Sequence, residues 1–170
     1  MKFLKKNLKW FLLGIFVALN IFILAESFMG GPVSSKQSGW FADVAAQTVN
    51  FFKPGTIVPE DIGEFKGFLR KFVGHYSLFA LDGLIGFFTF KLLLSEKKWF
   101  LPLIANLCVG LGMSMLTEFI QLFVPQRAGL ITDVFINFAG YLTPLLIAYL
   151  VLLFIDISKN RKTKKPVKTE

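Results

Sequence analysis

The sequence predicts an all-α integral membrane protein: a four-helix bundle with an extracellular, interfacial amphipathic segment between its first two spans. Three observations carry that reading. Hydrophobic residues make up 54% of the 170, 21 of them Phe, a composition far from that of a soluble globular domain. Four apolar stretches, about Leu8–Phe28, Phe72–Leu94, Trp99–Val124 and Asp133–Ile155, come near the roughly 20 residues that cross a hydrocarbon core. The basic residues flank those stretches, which argues against nucleic acid as the partner of the net charge of +8 and makes membrane lipid the natural neighbour.

Taken in order, the first span follows Lys2, Lys5, Lys6 and Lys9. Its basic start, apolar run and Ala25-Glu26-Ser27 share the grammar of a cleaved signal peptide, but the run is long for that and favours a retained anchor. Gly30-Gly31-Pro32 breaks the helix, and Ser34 to Ser38 offers N-cap chemistry for the next one. Trp40–Lys53 then spaces Trp40, Val44, Val49, Phe51 and Phe52 among polar residues as an amphipathic helix at the membrane interface would; a solvated loop with incidental aromatics is the alternative. Pro54-Gly55 ends that segment. Pro59-Glu60-Asp61 starts a short helix leading to Arg70-Lys71.

The second span carries Asp82 beside Gly83 in its middle, with no partner legible from sequence. Lys91, Lys97 and Lys98 separate it from the third span, which opens at Trp99 with Pro102 in its first turn, where an amide hydrogen has no helical partner anyway. Gly110, Gly112 and Ser114 let another helix approach closely. Cys108 is the single cysteine, so there is no intramolecular disulfide and no thiolate metal site. Lys159, Arg161, Lys162, Lys164, Lys165 and Lys168 follow the fourth span. Four crossings put 13 of the 19 basic residues on one face, which the positive-inside rule makes cytoplasmic, with both termini there. The organisation is one transmembrane domain over 1–158 and a basic cytoplasmic tail over 159–170.

The third and fourth spans are joined by TEFIQLFVPQRAGLITDVFINFAG, where Glu118, Gln121, Arg127, Asp133 and Asn137 punctuate apolar sequence. Alternating span direction brings His75, Glu118, Gln121, Asp133 and Asn137 to one leaflet. Within helices, Glu118 and Gln121 share a face, as do Asp133 and Asn137. Polar groups at that depth face the bundle interior and pair. Arg127 in the turn, with Arg70 and Lys71 arriving from the second span, could bind a carboxylate or phosphate. A purely structural arrangement is the other reading: Asp133 caps its helix, Glu118 pairs with Arg127 and the amides link helices. His75, Glu118 and Asp133 from separate helices make a weak metal signature, and no metal or cofactor is predicted.

These residues resemble a known family. LRKFVGHYSLFALDG and TEFIQLFVPQRAGLITDVFINFAGYL are similar to motifs of the VanZ-like family of small bacterial membrane proteins, whose founding type is associated with teicoplanin resistance. The resemblance covers about Arg70 to Leu153, and SSKQSGWFADVAAQ resembles the family's outer segment more loosely. It matches at Arg70, Lys71, His75, Glu118, Gln121, Pro125, Arg127, Asp133, Asn137 and Gly140, and departs from a frequent Phe at Tyr76. It implies a multi-pass protein of the bacterial plasma membrane and reduced susceptibility to lipoglycopeptide antibiotics, without supplying a catalytic mechanism.

Three functions follow. The first is an accessory protein whose outer-leaflet pocket binds an amphiphilic anion, a lipid headgroup or a lipoglycopeptide: Arg70, Lys71 and Arg127 meet the anion, Glu118 and Asp133 orient them, and Gln121 and Asn137 fix helix register. The second is a membrane-embedded enzyme acting on a lipid-linked cell-wall precursor, with His75, Glu118 or Asp133 as acid or base; no GxSxG or HExxH motif supports it. The third is a small lipid transporter, against which count the four spans and the lack of an inverted repeat. Nothing in the sequence reports oligomeric state.

Overall fold

The computed structural model describes residues 2–98 and 100–163, all helix and connecting turn with no strand among them. The predicted opening of the third span at Trp99 and the last part of the basic tail, 164–170, lie outside the described residues. Helix α1 spans Lys2–Ser27, α2 Gly31–Phe52, α3 Ile62–Leu69, α4 Ser77–Leu93, α5 Phe100–Gln121 and α6 Ile131–Thr163. Between α3 and α4 the chain winds as a π-helical turn, Arg70–Tyr76. Four helices are long and apolar enough to cross a membrane: Asn7–Phe28, Ile62–Leu93, Phe100–Gln121 and Ile131–Lys159. This is a membrane protein, with α2 as the additional segment between its first two spans.

Several boundaries differ from the sequence reading. α2 begins at Gly31, not after a cap in Ser34–Ser38: Gly30 is extended at the N-cap, and Pro32 falls in the first turn, where its missing N–H costs nothing. The second span does not start at Phe72, because α3 runs through the π-helical turn into α4 without a break. α5 stops at Gln121, three residues short of Val124, and α6 carries on through Pro144 to Thr163, beyond Ile155.

α4, α5 and α6 form the tightly packed part. A methyl group on Gly83 would overlap the Tyr141 carbonyl, and one on Gly140 would overlap the Tyr76 backbone, so α6 touches α4 and the π-helical turn nearly backbone to backbone. Gly110 of α5 lies against the Tyr141 ring, and Tyr141 is completely buried with Phe79, Met113 and Ile23 around it. Gly112, predicted to serve the same purpose, faces open space. α1 packs along α4, with Phe16 edge-on to Phe90 at 5.6 Å. Large apolar side chains such as Phe11, Phe119 and Phe154 are exposed, as a lipid solvent requires.

α2 is tied at both ends. At its start Gly31 N donates to Pro125 O at 3.3 Å. Beyond its end Asn50 closes the turn, its Nδ2 donating to Ile57 O at 2.8 Å and its Oδ1 accepting from Ile57 N at 3.0 Å. Asp43 of α2 pairs with Lys66 of α3 at 3.1 Å. Trp40, Phe51 and Phe52 are exposed, the interfacial aromatics the sequence singles out.

Candidate functional site

The turn end of α5 and α6 meets the π-helical turn, and there the polar side chains converge. Glu118 is buried. Its Oε2 accepts from Leu130 N at 3.2 Å, which stitches the α5 carboxylate to the entry of α6. Its Oε1 accepts from Asn137 Nδ2, also at 3.2 Å, and the same Asn137 nitrogen reaches Thr117 Oγ1 at 3.4 Å. With its NH₂ so committed, Asn137 turns Oδ1 toward His75, whose Nδ1 lies 3.0 Å away and therefore donates. His75 Nδ1 is 3.8 Å from Glu118 Oε1. The result is a chain, His75 to Asn137 to Glu118, that fixes the histidine tautomer with the lone pair on Nε2.

Lys71 and Asp133 form a second pair beside it, Nζ to Oδ1 at 3.4 Å, with Asp133 buried in the first turn of α6. A carboxylate at that position is favoured by the unpaired amides of the helix start.

Arg127 does not pair with Glu118, contrary to the structural alternative. Its Nε donates to Met29 O at 3.1 Å and its guanidinium NH₂ to Glu26 O at 3.2 Å, a carbonyl that also accepts from Met29 N, so it ties down the last turn of α1 and the residue just past it. Burial, and next the Arg70 guanidinium, pull Arg127 below its usual pKa. Two like charges therefore converge here. Arg70 Nε, moreover, is buried without a hydrogen-bond partner.

Those two arginines line a cavity of about 810 Å³. His75, Gln121 and Asn137 share its polar end, while Phe22 and Ile23 of α1, Phe41 and Val44 of α2 and Phe79 of α4 supply apolar walls. Winding explains why Arg70 and His75 face the same space. Five residues of α-helix overshoot a turn by about two-fifths, whereas in π-helix the i→i+5 bonding brings residues five apart roughly into line. Ser77 Oγ donates to Phe72 O, five residues back, at 2.8 Å.

Eight residues are predicted to bind ligand, and the structure divides them. Arg70, His75, Gln121, Arg127 and Asn137 line the cavity; Lys71, Glu118 and Asp133 do not. Glu118 stands behind them and borders a shallower groove of about 490 Å³ between α5 and α6. The sequence reading misses Phe22, Phe41 and Phe79, which carry no signal beyond being apolar. Val44 alone among these wall residues is legible, through the amphipathic pattern of α2.

His75, Glu118 and Asp133 offer ligand atoms all within 4.8 Å of one another. The donor set fits a cation poorly even so. Lys71 already neutralises Asp133, and Asn137 bonds both His75 and Glu118.

A family model described as VanZ/LLP1 matches residues 10–154. No curated protein and no solved structure matches the chain.

Proposed function

The chain belongs to the VanZ/LLP1 family, and from that premise we propose that it binds an amphiphilic anion at the polar end of the 810 Å³ cavity. The observation that carries this reading is Arg70: a guanidinium with a buried, unpartnered Nε, set near a second guanidinium at the end of an apolar chamber. A planar fork of that kind binds phosphate or carboxylate with two parallel hydrogen bonds. Phe22, Val73, Phe41 and Val44 line the chamber and are also exposed, so it opens sideways between α1, α2 and the π-helical turn. An opening at the depth of Phe22 and Val73, both within span-length helices, faces acyl chains rather than water. A ligand entering there brings its own tail.

In this reading the turn end of the bundle faces outward in a bacterial plasma membrane, with both termini cytoplasmic, as the flanking lysines favour. The ligand is an outer-leaflet lipid headgroup or a lipoglycopeptide such as teicoplanin, and binding reduces susceptibility to the drug. Arg70 and Arg127 hold the anion, Gln121 donates at its edge, and behind it Lys71 neutralises Asp133 while Asn137 and Leu130 N hold Glu118. The test pairs two readouts on Arg70→Gln: retention of an anionic phospholipid by protein in nanodiscs, and teicoplanin protection on expression in a susceptible strain. Both fall at least tenfold if the pocket acts as described; protection that survives with lipid retention intact rejects it.

A second reading is favoured by the His75–Asn137–Glu118 chain. A histidine whose Nδ1–H is held leaves Nε2 as a base beside the cavity, as a membrane-embedded enzyme acting on a lipid-linked envelope precursor would use it. Lipid profiling separates the two: a binder leaves headgroup chemistry unchanged, and an enzyme adds a product that His75→Gln removes.

A further inference from the structure

A second polar layer lies in the bundle interior, apart from the cavity. Each span-length helix contributes one side chain: Asn20 from α1, Asp82 from α4, Asn106 from α5 and Tyr141 from α6. None of the four lines the cavity. Asn20 Nδ2 donates to Asp82 Oδ1 at 2.9 Å and to Phe16 O at 2.8 Å, and the Tyr141 hydroxyl donates to Asn106 Oδ1. Gly86, one turn beyond Asp82, makes room: a methyl group there would overlap the Asn106 amide oxygen and the Tyr141 hydroxyl. Once these bonds are made, two buried atoms of the layer still lack partners, Asp82 Oδ2 and Asn106 Nδ2. Asp82 has no exposed surface at all.

The neighbours decide what Asp82 can hold. α1 presents an amide, α5 an amide and α6 a phenol, Tyr141 being the titratable group among them. Among the described residues no lysine, arginine or histidine forms an ion pair with Asp82. A carboxylate so placed would keep an uncompensated charge inside hydrocarbon, the costliest state for such a group. A metal or alkali ion would need several oxygen ligands in one shell, whereas here Asp82 Oδ1 already accepts from Asn20 and Asn106 Oδ1 from the Tyr141 hydroxyl. A carboxylic acid removes the charge and makes Oδ2 a donor whose needs a buried hydroxyl or water meets.

We propose that Asp82 is a proton-binding site, carrying a proton on Oδ2 when the protein sits in a membrane in neutral buffer. On loss of that proton to water the O–H bond breaks and Oδ2 needs a donor, and the unpaired Asn106 Nδ2 of α5 is the group of that kind in the layer. The two protonation states thus call on different neighbours, while Asn20 holds Oδ1 in both. The site is independent of the anion pocket and stands if that reading fails.

Infrared spectroscopy of the full chain in lipid vesicles tests it. The neutral-pH spectrum should contain a carboxylic-acid carbonyl band that moves when the protein carries ¹³C-labelled aspartate, moves again in D₂O, and is lost in Asp82→Asn. The isosteric amide keeps the acceptor for Asn20 and so should preserve the fold. Should that variant fail to fold, the isotope shift in the unaltered protein still decides the matter, since of the other four aspartates Asp43 and Asp133 are ion-paired and Asp61 and Asp156 are exposed, which leaves Asp82 as the buried, unpaired one. Absence of any aspartic-acid band at neutral pH, or its persistence in Asp82→Asn, overturns the proposal.

Discussion

The cavity has two unlike sides. On one, α4, α5 and α6 are locked by glycines set against backbone, as at Gly83 and Gly140, and by the chain His75–Asn137–Glu118 that joins the π-helical turn to α6 and α5. On the other, α1 packs along α4 through Phe16 and Ile23 and takes two bonds from Arg127, but α2 is held near the cavity largely by single polar bonds, Gly31 to Pro125 and Asp43 to Lys66. Packing in lipid rewards close backbone approach, so the first side is rigid, whereas hydrogen bonds to a turn can be exchanged for others at small cost. The polar groups thus sit on a fixed frame, and the wall that faces them is the part able to shift.

The largest effect expected from that contrast belongs to Gly140→Leu. The added side chain meets the Tyr76 backbone, which cannot yield, and the loss should exceed about 4 kcal/mol; thermal unfolding in detergent that leaves the melting temperature unchanged would break the picture of a locked frame. Arg127→Ala comes next. It removes two charged hydrogen bonds to α1 carbonyls, with an expected loss of about 2 kcal/mol, and hydrogen exchange should quicken across the end of α1 and the start of α2 while α4 to α6 stay protected. Uniform quickening would mean the two sides are one unit. Asp43→Asn should cost no more than about 1 kcal/mol, because the pair with Lys66 is half exposed. Smallest of all is Gly112→Ala: open space surrounds that glycine, and the change should stay within about 0.5 kcal/mol, a control for Gly140.

Much of the frame is legible in the sequence because it follows from two periodicities. Apolar length marks the spans, and spacings of three and four put Glu118 beside Gln121 and Asp133 beside Asn137. Alternating span direction then gathers them with His75 at one end. The divergence of Arg70 and Lys71 is not legible: α-helical spacing pairs Lys71 with His75, and only the π-helical turn, for which RKFVGHY carries no marker, swings Arg70 toward the cavity and leaves Lys71 to Asp133. Arg127 is similar. Its partners are main-chain carbonyls 98 and 101 residues earlier, and a carbonyl has no residue type to read. The start of α2 at Gly31 is hidden for another reason, since Gly-Gly-Pro signals a break whether the next helix begins at once or ten residues on.

The central claim is that a lipid-borne anion enters between the two sides and is held by the arginines. Val73 lies at that opening and Phe119 on the exposed face of α5, so a cysteine at either, in a Cys108→Ser background, can be given the same bulky thiol label. Native mass spectrometry of protein released from anionic-lipid nanodiscs then counts retained lipid. The account predicts that labelling Val73→Cys lowers retention at least tenfold and that labelling Phe119→Cys leaves it unchanged; equal retention in both labelled proteins would contradict it.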